Sequence, residues 1–266
     1  MALVEVEVEA GGRVARVALN RPEQRNAVSR AMLAELVSAL GELAAAPDMR
    51  VVVLSGNGAD FCAGADVGEL EAARSGPDAI DYGESFEEAL RAIATHPVPV
   101  LARVHGAALG AGCQLAAACD LAVVAEDARL GIPSARLGVL VPFEIVQRLV
   151  VAVGPKRAGE ILLTGRSVSG TEAAAWGLVN EAVPAAELDR RTDEIARAVA
   201  DAAPLSVRGS KRGIAIALEH LSLDRSTESH RAGDFDMMAA QALASEDLAE
   251  GLRAFRERRR PEFRGR

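Results

Sequence analysis

Three stretches limit most strongly what this chain can fold into: VVVLSG (residues 51–56), PVPVLARVHG (97–106) and LAVVAE (121–126). Each is a short run of aliphatic and β-branched residues without polar alternation, as expected of strands covered on both faces. Glycine stands at the exit of the first two, and a helical stretch separates each run from the next. Repeated strand–helix units of this kind predict an α/β fold with right-handed crossovers.

The flanking segments fit the same scheme. VEVEVE alternates over residues 4–9, Gly11-Gly12 follows, and 13–19 reads as a second strand, giving a hairpin. Ser29 suits the N-cap of a helix with Leu33, Leu36, Val37, Leu40 and Leu43 on one face. A loop over 57–66 leads into a polar helical stretch ending near Thr95. From Pro142, placed at the first position of a helix through FEIVQRLV, the pattern turns helical. Ser169 and Glu172 have capping-box spacing. Helices are expected over 188–202 and 206–218, with two more to the end. The expected division is a core over 1–203 and a helical oligomerisation region over 204–266.

Composition excludes several classes. Half the residues are apolar, which argues against disorder. The formal charge of −8, with no basic stripe, argues against nucleic-acid binding. Three cysteines with no C-x-x-C spacing and no leader pattern suggest a reduced, cytoplasmic protein. No apolar run approaches the roughly 18–20 residues of a membrane span.

Two glycine-rich turns carry the chemistry. In FCAGAD, the small residues Ala63, Gly64 and Ala65 let a ligand approach the backbone, and Asp66 can cap a following helix. In GAALGAG, Gly110, Ala111 and Gly112 open a helix whose first N–H groups lack internal acceptors. Two such donors converging on one carbonyl oxygen would form an oxyanion hole. The pattern is not G-x-G-x-x-G, which argues against a dinucleotide-dependent oxidoreductase.

With LNRPEQRNAVS, VVVLSGNGADFCAGAD, HPVPVLARVHGAALGAGCQLAAACDLAVVAEDARLGIP, the stretch from LGVLVPFEIVQ to LVNEAVP, and the ending EDLAEGLRAFRERRRPEF, the chain resembles the crotonase superfamily of enoyl-CoA hydratases and isomerases. The resemblance implies a spiral of ββα units with a C-terminal helical trimerisation region, assembled as a homotrimer or a dimer of trimers. It implies an acyl-CoA thioester as ligand, with coenzyme A entering as part of the substrate and no permanently bound cofactor. It also implies enolate stabilisation by the N–H groups of Ala65 and Ala111. Arg25, Ala63, Asp66, Gly110, Lys211 and Phe263 would then surround the coenzyme A and acyl portions. Seven arginines between Arg253 and Arg266 either face the nucleotide phosphates or are solvated at a helix end.

The resemblance breaks at two positions. Gln114 and Ser134 stand where hydratases of this family have glutamates, and neither side chain is a general base near neutral pH. Glu144 either favours a helix dipole or substitutes as the acid. Glu69 and Glu84 read as solvated, His105 as structural, and Cys113, Cys119 and Trp176 as core. The expected function is an acyl-CoA enzyme running an atypical reaction, such as decarboxylation, thioester cleavage or weak hydration. The alternative is a non-catalytic acyl-CoA carrier.

Overall fold

A computed structural model of the chain describes residues 2–72, 78–220, 240–241 and 243–262. The strands are β1 (Val4–Val8), β2 (Val14–Leu19), β3 (Val51–Gly56), β4 (Val100–Val104), β5 (Ala107–Leu109), β6 (Leu121–Ala125), β7 (Arg129–Gly131), β8 (Ser167–Ser169) and β9 (Glu181–Val183). The helices are α1 (Arg30–Ala45), α2 (Val67–Ala72), α3 (Asp78–Ala94), α4 (Ala111–Ala118), α5 (Ser134–Leu137), α6 (Phe143–Thr164), α7 (Gly170–Trp176), α8 (Leu188–Asp201), α9 (Pro204–His220) and α10 (Glu246–Glu257).

Two sheets carry the architecture. The larger has the order β1-β2-β3-β4-β6-β9 and the smaller β5-β7-β8. β1 and β2 form the antiparallel hairpin, and every other neighbour in the larger sheet is parallel. In register, Val52 faces Val100 and Leu101 faces Leu121. β4 hands the chain to β5 before α4, and β6 hands it to β7 before α5, so the ββα unit is present twice in succession.

Burial follows the sequence pattern. Val51 to Leu54 of β3 are covered on both faces, and Met32, Leu33, Leu36, Leu40 and Leu43 of α1 are buried. Ser29 caps α1 through a bond from the Met32 N–H, and Ser169 and Glu172 form the full capping box of α7. The valine face of β1 is covered only at Val4, because β1 is the edge strand; Val6 and Val8 are exposed.

Several boundaries differ from expectation. The apolar run over 97–106 holds a shorter strand than expected, β4 over Val100–Val104, and Gly106, at φ 56°, turns the chain into β5. Pro142 is the N-cap of α6 rather than its first helical residue. α6 is kinked at Gly154 (φ 75°), just before Pro155. Trp176 is half-buried, packed against the edge of the core, with the guanidinium groups of Arg157 and Arg166 over its ring at 5.2 and 5.3 Å.

α9 starts at Pro204, two residues before the expected start, and the chain beyond it is not uniform. Leu205 and Ile214 of α9 are exposed, whereas Leu248 and Leu252 of α10 join the main core. α10 sits directly on α5: a Cβ on Gly251 would lie 2.5 Å from the Leu137 carbonyl oxygen, and one on Gly138 would lie 2.8 Å from the Leu248 nitrogen. No helix among the described residues is long and apolar enough to cross a membrane.

Candidate active site

The turn after β3 and the start of α4 meet. Gly110 is the N-cap of α4 with φ 53° and ψ −116°, a conformation open to glycine and strained for a residue with a Cβ. The first intrahelical bond runs from the Gln114 N–H to the Gly110 carbonyl (3.1 Å), so the Ala111 N–H precedes the helical ladder. Opposite it, a parallel bridge joins Val28 and Ala65. Its bonds use the residues flanking Ala65: Val28 N–H donates to the Gly64 carbonyl, and Asp66 N–H donates to the Val28 carbonyl, each at 2.9 Å. Successive N–H groups of extended backbone point to opposite sides, so the Ala65 N–H points away from Val28.

Close approach holds the two turns together. A Cβ on Gly110 would lie 3.7 Å from Gly64 Cα, and one on Gly112 would lie 2.2 Å from the Cys62 carbonyl oxygen. Cys62 is also stitched to the smaller sheet, with Cys62 N–H donating to Ala107 and Leu109 N–H donating to Cys62. Cys62 and Cys113 are buried without partners in a disulfide, and burial pushes both thiols up to about 12, which leaves them unreactive.

Asp60 ties the same region. It is 8% exposed, accepts two bonds from the Arg25 guanidinium (2.6 and 3.1 Å) and accepts the Ala107 N–H (2.7 Å). The Arg25 bonds, then the Ala107 bond, hold its carboxyl below the ordinary 3.8 against the opposing effect of burial. Its stabilising contribution is therefore complete above that value and is lost as pH falls through the depressed folded pKa. Asp60→Asn is expected to cost about 1–3 kcal/mol at pH 7. It should also flatten the fall in melting temperature below about pH 4, as thermal unfolding across pH would read.

A cavity of about 260 Å³ opens over the two turns. Ala63, Gly64, Ala65, Gly110 and Ala111 form one side, with Gln114 and Ser134 beside them. Leu70, Tyr82, Phe86, Ile132 and Val139 to Val141 supply apolar walls, and Leu243 and Phe255 complete it from the C-terminal region. Among the described residues, no carboxylate, imidazole, lysine or arginine lines it. Gln114 is 7% exposed, and its Oε1 is buried with no hydrogen-bond partner. Tyr82 donates its hydroxyl to the Val28 carbonyl (3.0 Å), and burial raises its pKa, so it stays protonated.

The sequence candidates thus divide. Ala63, Ala65, Gly110, Ala111, Gln114 and Ser134 come together in this cavity. Glu144 does not: it is exposed in the first turn of α6 and lines a separate cavity of about 300 Å³, with His96, Arg148, Arg208, Lys211 and Arg212. Lys211 is 9% exposed and is held by Asp120 (2.7 Å) and the Val98 carbonyl (3.1 Å), so its ammonium is engaged within the fold. Asp66 accepts the Gly68 N–H (2.9 Å) at the start of α2 and pairs with Arg21 (3.1 Å). Arg25 keeps its bidentate pair with Asp60 while its side chain stays 60% exposed. Phe263 lies outside the described residues. His105 is satisfied by Arg103 and the Gly58 carbonyl.

The sequence reading missed Tyr82, Phe86 and Phe255. Tyr82, Phe86, Ala89 and Ile93 recur at helical spacing in α3, a signal that marks a buried face without saying that it borders a cavity.

The family model described as Enoyl-CoA hydratase/isomerase matches residues 9–266. A Thermus thermophilus protein provisionally named an enoyl-CoA hydratase is 40% identical over 264 residues, which cover 97% of this chain and 100% of the relative. The 2,3-dehydroadipyl-CoA hydratase of Escherichia coli is 34% identical over 262 residues, covering 98% and 99%. A methylmalonyl-CoA decarboxylase solved in complex with 2-nitronate-propionyl-CoA superposes with a TM-score of 0.87 at 25% identity, covering 99% of each chain. With nearly the whole length matched and the crotonase fold in place, the chain belongs to the enoyl-CoA hydratase/isomerase family.

Proposed function

We propose that this chain binds an acyl-CoA thioester with the thioester oxygen between the Ala65 and Ala111 N–H groups, and that it stabilises the corresponding enolate. The observation that carries this reading is the contact between the Gly64 and Gly110 turns beneath an apolar cavity, with both N–H groups outside the neighbouring hydrogen-bond ladders. Rigid backbone donors aimed at developing negative charge are among the largest single contributions to acyl-transfer and enolate catalysis. The relatives support the ligand class: the hydratases named above act on CoA thioesters, and the decarboxylase was solved with a nitronate, a planar anion shaped like an enolate.

In this reading the acyl chain occupies the space between Leu70, Phe86 and Val141, and Arg25 faces the nucleotide portion of coenzyme A. Assembly as a trimer or a dimer of trimers is part of the proposal. The exposed apolar side chains Phe143, Val150, Val151 and Leu163 on α6, with Leu205 and Ile214 on α9, support it.

A carrier without turnover is the second reading, favoured by the absence of a carboxylate or imidazole among the described cavity-lining residues. Calorimetry with butyryl-CoA and free CoA tests the shared premise. The thioester is expected to bind at least about tenfold tighter, a modest return for burying a short alkyl chain. Equal affinities would refute a carbonyl-directed site.

A further inference from the structure

We infer that Tyr82 is a positioning residue: its hydroxyl holds the backbone segment that aims the Ala65 N–H into the cavity. This role rests on the oxyanion reading proposed above, and it makes the precision of that site depend on a side chain outside the two glycine turns.

The Ala65 turn has little stiffness of its own. Ala63, Gly64 and Ala65 carry no side chain beyond a methyl group, and Gly64 stands at φ 128°, a conformation that glycine enters without steric restraint. Order comes from a neighbouring segment. Ala63 N–H donates to the Arg25 carbonyl, Val28 N–H to Gly64 and Asp66 N–H to Val28, each at 2.9 Å. Residues 25–28 therefore act as a template, and the direction of the Ala65 N–H is inherited from it.

The template is pinned at both ends. At one end, Arg25 and Asn26 lie in the left-handed region (φ 53° and 55°), and the buried Asn26 side chain holds them there. It accepts the Arg21 N–H (2.9 Å) and donates to the Asn57 and Asp60 carbonyls (2.8 Å each). At the other end stands Tyr82. Its hydroxyl donates to the Val28 carbonyl (3.0 Å), the same oxygen that receives the Asp66 N–H. Tyr82 belongs to α3, so this bond ties the template to a separate helix.

The cavity wall does not itself require a hydroxyl here. Tyr82 is 7% exposed, and with Leu70 and Phe86 it forms part of the apolar lining. Phenylalanine would supply the same ring surface without a polar group to bury. Burial also raises the Tyr82 pKa, so the hydroxyl remains a donor at neutral pH. The ring thus borders the acyl chain while the hydroxyl braces the donor. Donors serve an oxyanion best at about 2.7–3.1 Å, so a template that drifts weakens the site before it harms the fold. A ground-state thioester carries less charge on its oxygen and feels that drift less.

Calorimetry of the full chain with 2-nitronate-propionyl-CoA, propionyl-CoA and free CoA tests this, for the parent, Tyr82→Phe and Phe86→Leu. The parent is expected to bind the nitronate tighter than propionyl-CoA. Tyr82→Phe is expected to lower nitronate affinity about tenfold, less than the roughly 10²–10³ of losing a donor outright, while propionyl-CoA and CoA affinities stay within about twofold. Phe86→Leu alters the wall alone and is expected to shift both thioesters by the same factor. The ratio of the two affinities is read on folded protein, so lost stability by itself does not move it. An unchanged ratio in Tyr82→Phe overturns this role and leaves the acyl-CoA reading standing. A ratio that falls as far in Phe86→Leu also overturns it, because any damage to the wall would then do the same. A parent that binds no thioester, or that binds the nitronate no tighter than propionyl-CoA, overturns the oxyanion reading and this role with it.

Discussion

Replacing Gln114 and Ser134 together with glutamate is expected to create a crotonyl-CoA hydratase at least about a hundredfold faster than the parent, since one well-placed acid–base group contributes roughly 10²–10⁴-fold. Both side chains already border the cavity beside the Gly110 turn, so the new carboxyl groups need no rearrangement of the scaffold to reach it. Glutamate has nearly the same shape as glutamine, so the change at Gln114 leaves the packing of α4 undisturbed. Ser134 is the first residue of α5, where a carboxylate also suits the exposed N–H groups of a helix start. The apolar surroundings would raise both carboxyl pKa values toward neutrality, the range in which a group serves as acid and base. Loss of enoyl absorbance reads the outcome. No gain would mean that the cavity lacks a place for the attacking water, and that the difference from hydratases runs deeper than two side chains.

Ala111→Pro carries the second large effect. Proline removes an N–H, and at the first position of a helix that N–H has no intrahelical acceptor, so α4 should survive the change. Losing one oxyanion donor costs about 10²–10³ in rate elsewhere, and a similar loss of affinity is expected here for 2-nitronate-propionyl-CoA. Free CoA, which has no thioester oxygen, should bind as before. An unchanged nitronate affinity would remove Ala111 from the proposed site, and a parallel loss of free-CoA binding would show general damage instead.

Legibility in the sequence followed the range of the interactions involved. β3 matches its quoted residues, and α1 and α7 begin where Ser29 and Ser169 indicated, because capping and strand burial are local. β7, β8 and β9 have three residues each and are defined by pairing with distant strands, so no periodicity announces them. α5 is a single turn held under α10 and was equally silent. At the site, the glycine turns were legible as backbone features, but their meeting was not, since it depends on Gly64 touching a residue 46 positions later. Glu144 was a candidate as a substitute acid, and Lys211 as a coenzyme A contact implied by the family resemblance. One side chain faces a different cavity and the other is held by Asp120, and neither fact has a local signature.

The placement of α10 has a consequence for the order in which this molecule can mature. Glu250 is 7% exposed, accepts from Arg253, Arg259 and the Glu262 N–H, and so holds residues 259 to 262 back against the helix. Phe255 and Leu243 finish a cavity whose other walls come from residues 63 to 142. A chain emerging from the ribosome can form its strands early, but this cavity stays open until Leu243 and Phe255 have been made. Closing a loop of more than a hundred residues is also the slower, entropically dearer part of folding. Ligand that prefers the closed chamber will act most on this late-docking helix, stabilising the step by which newly made protein becomes functional.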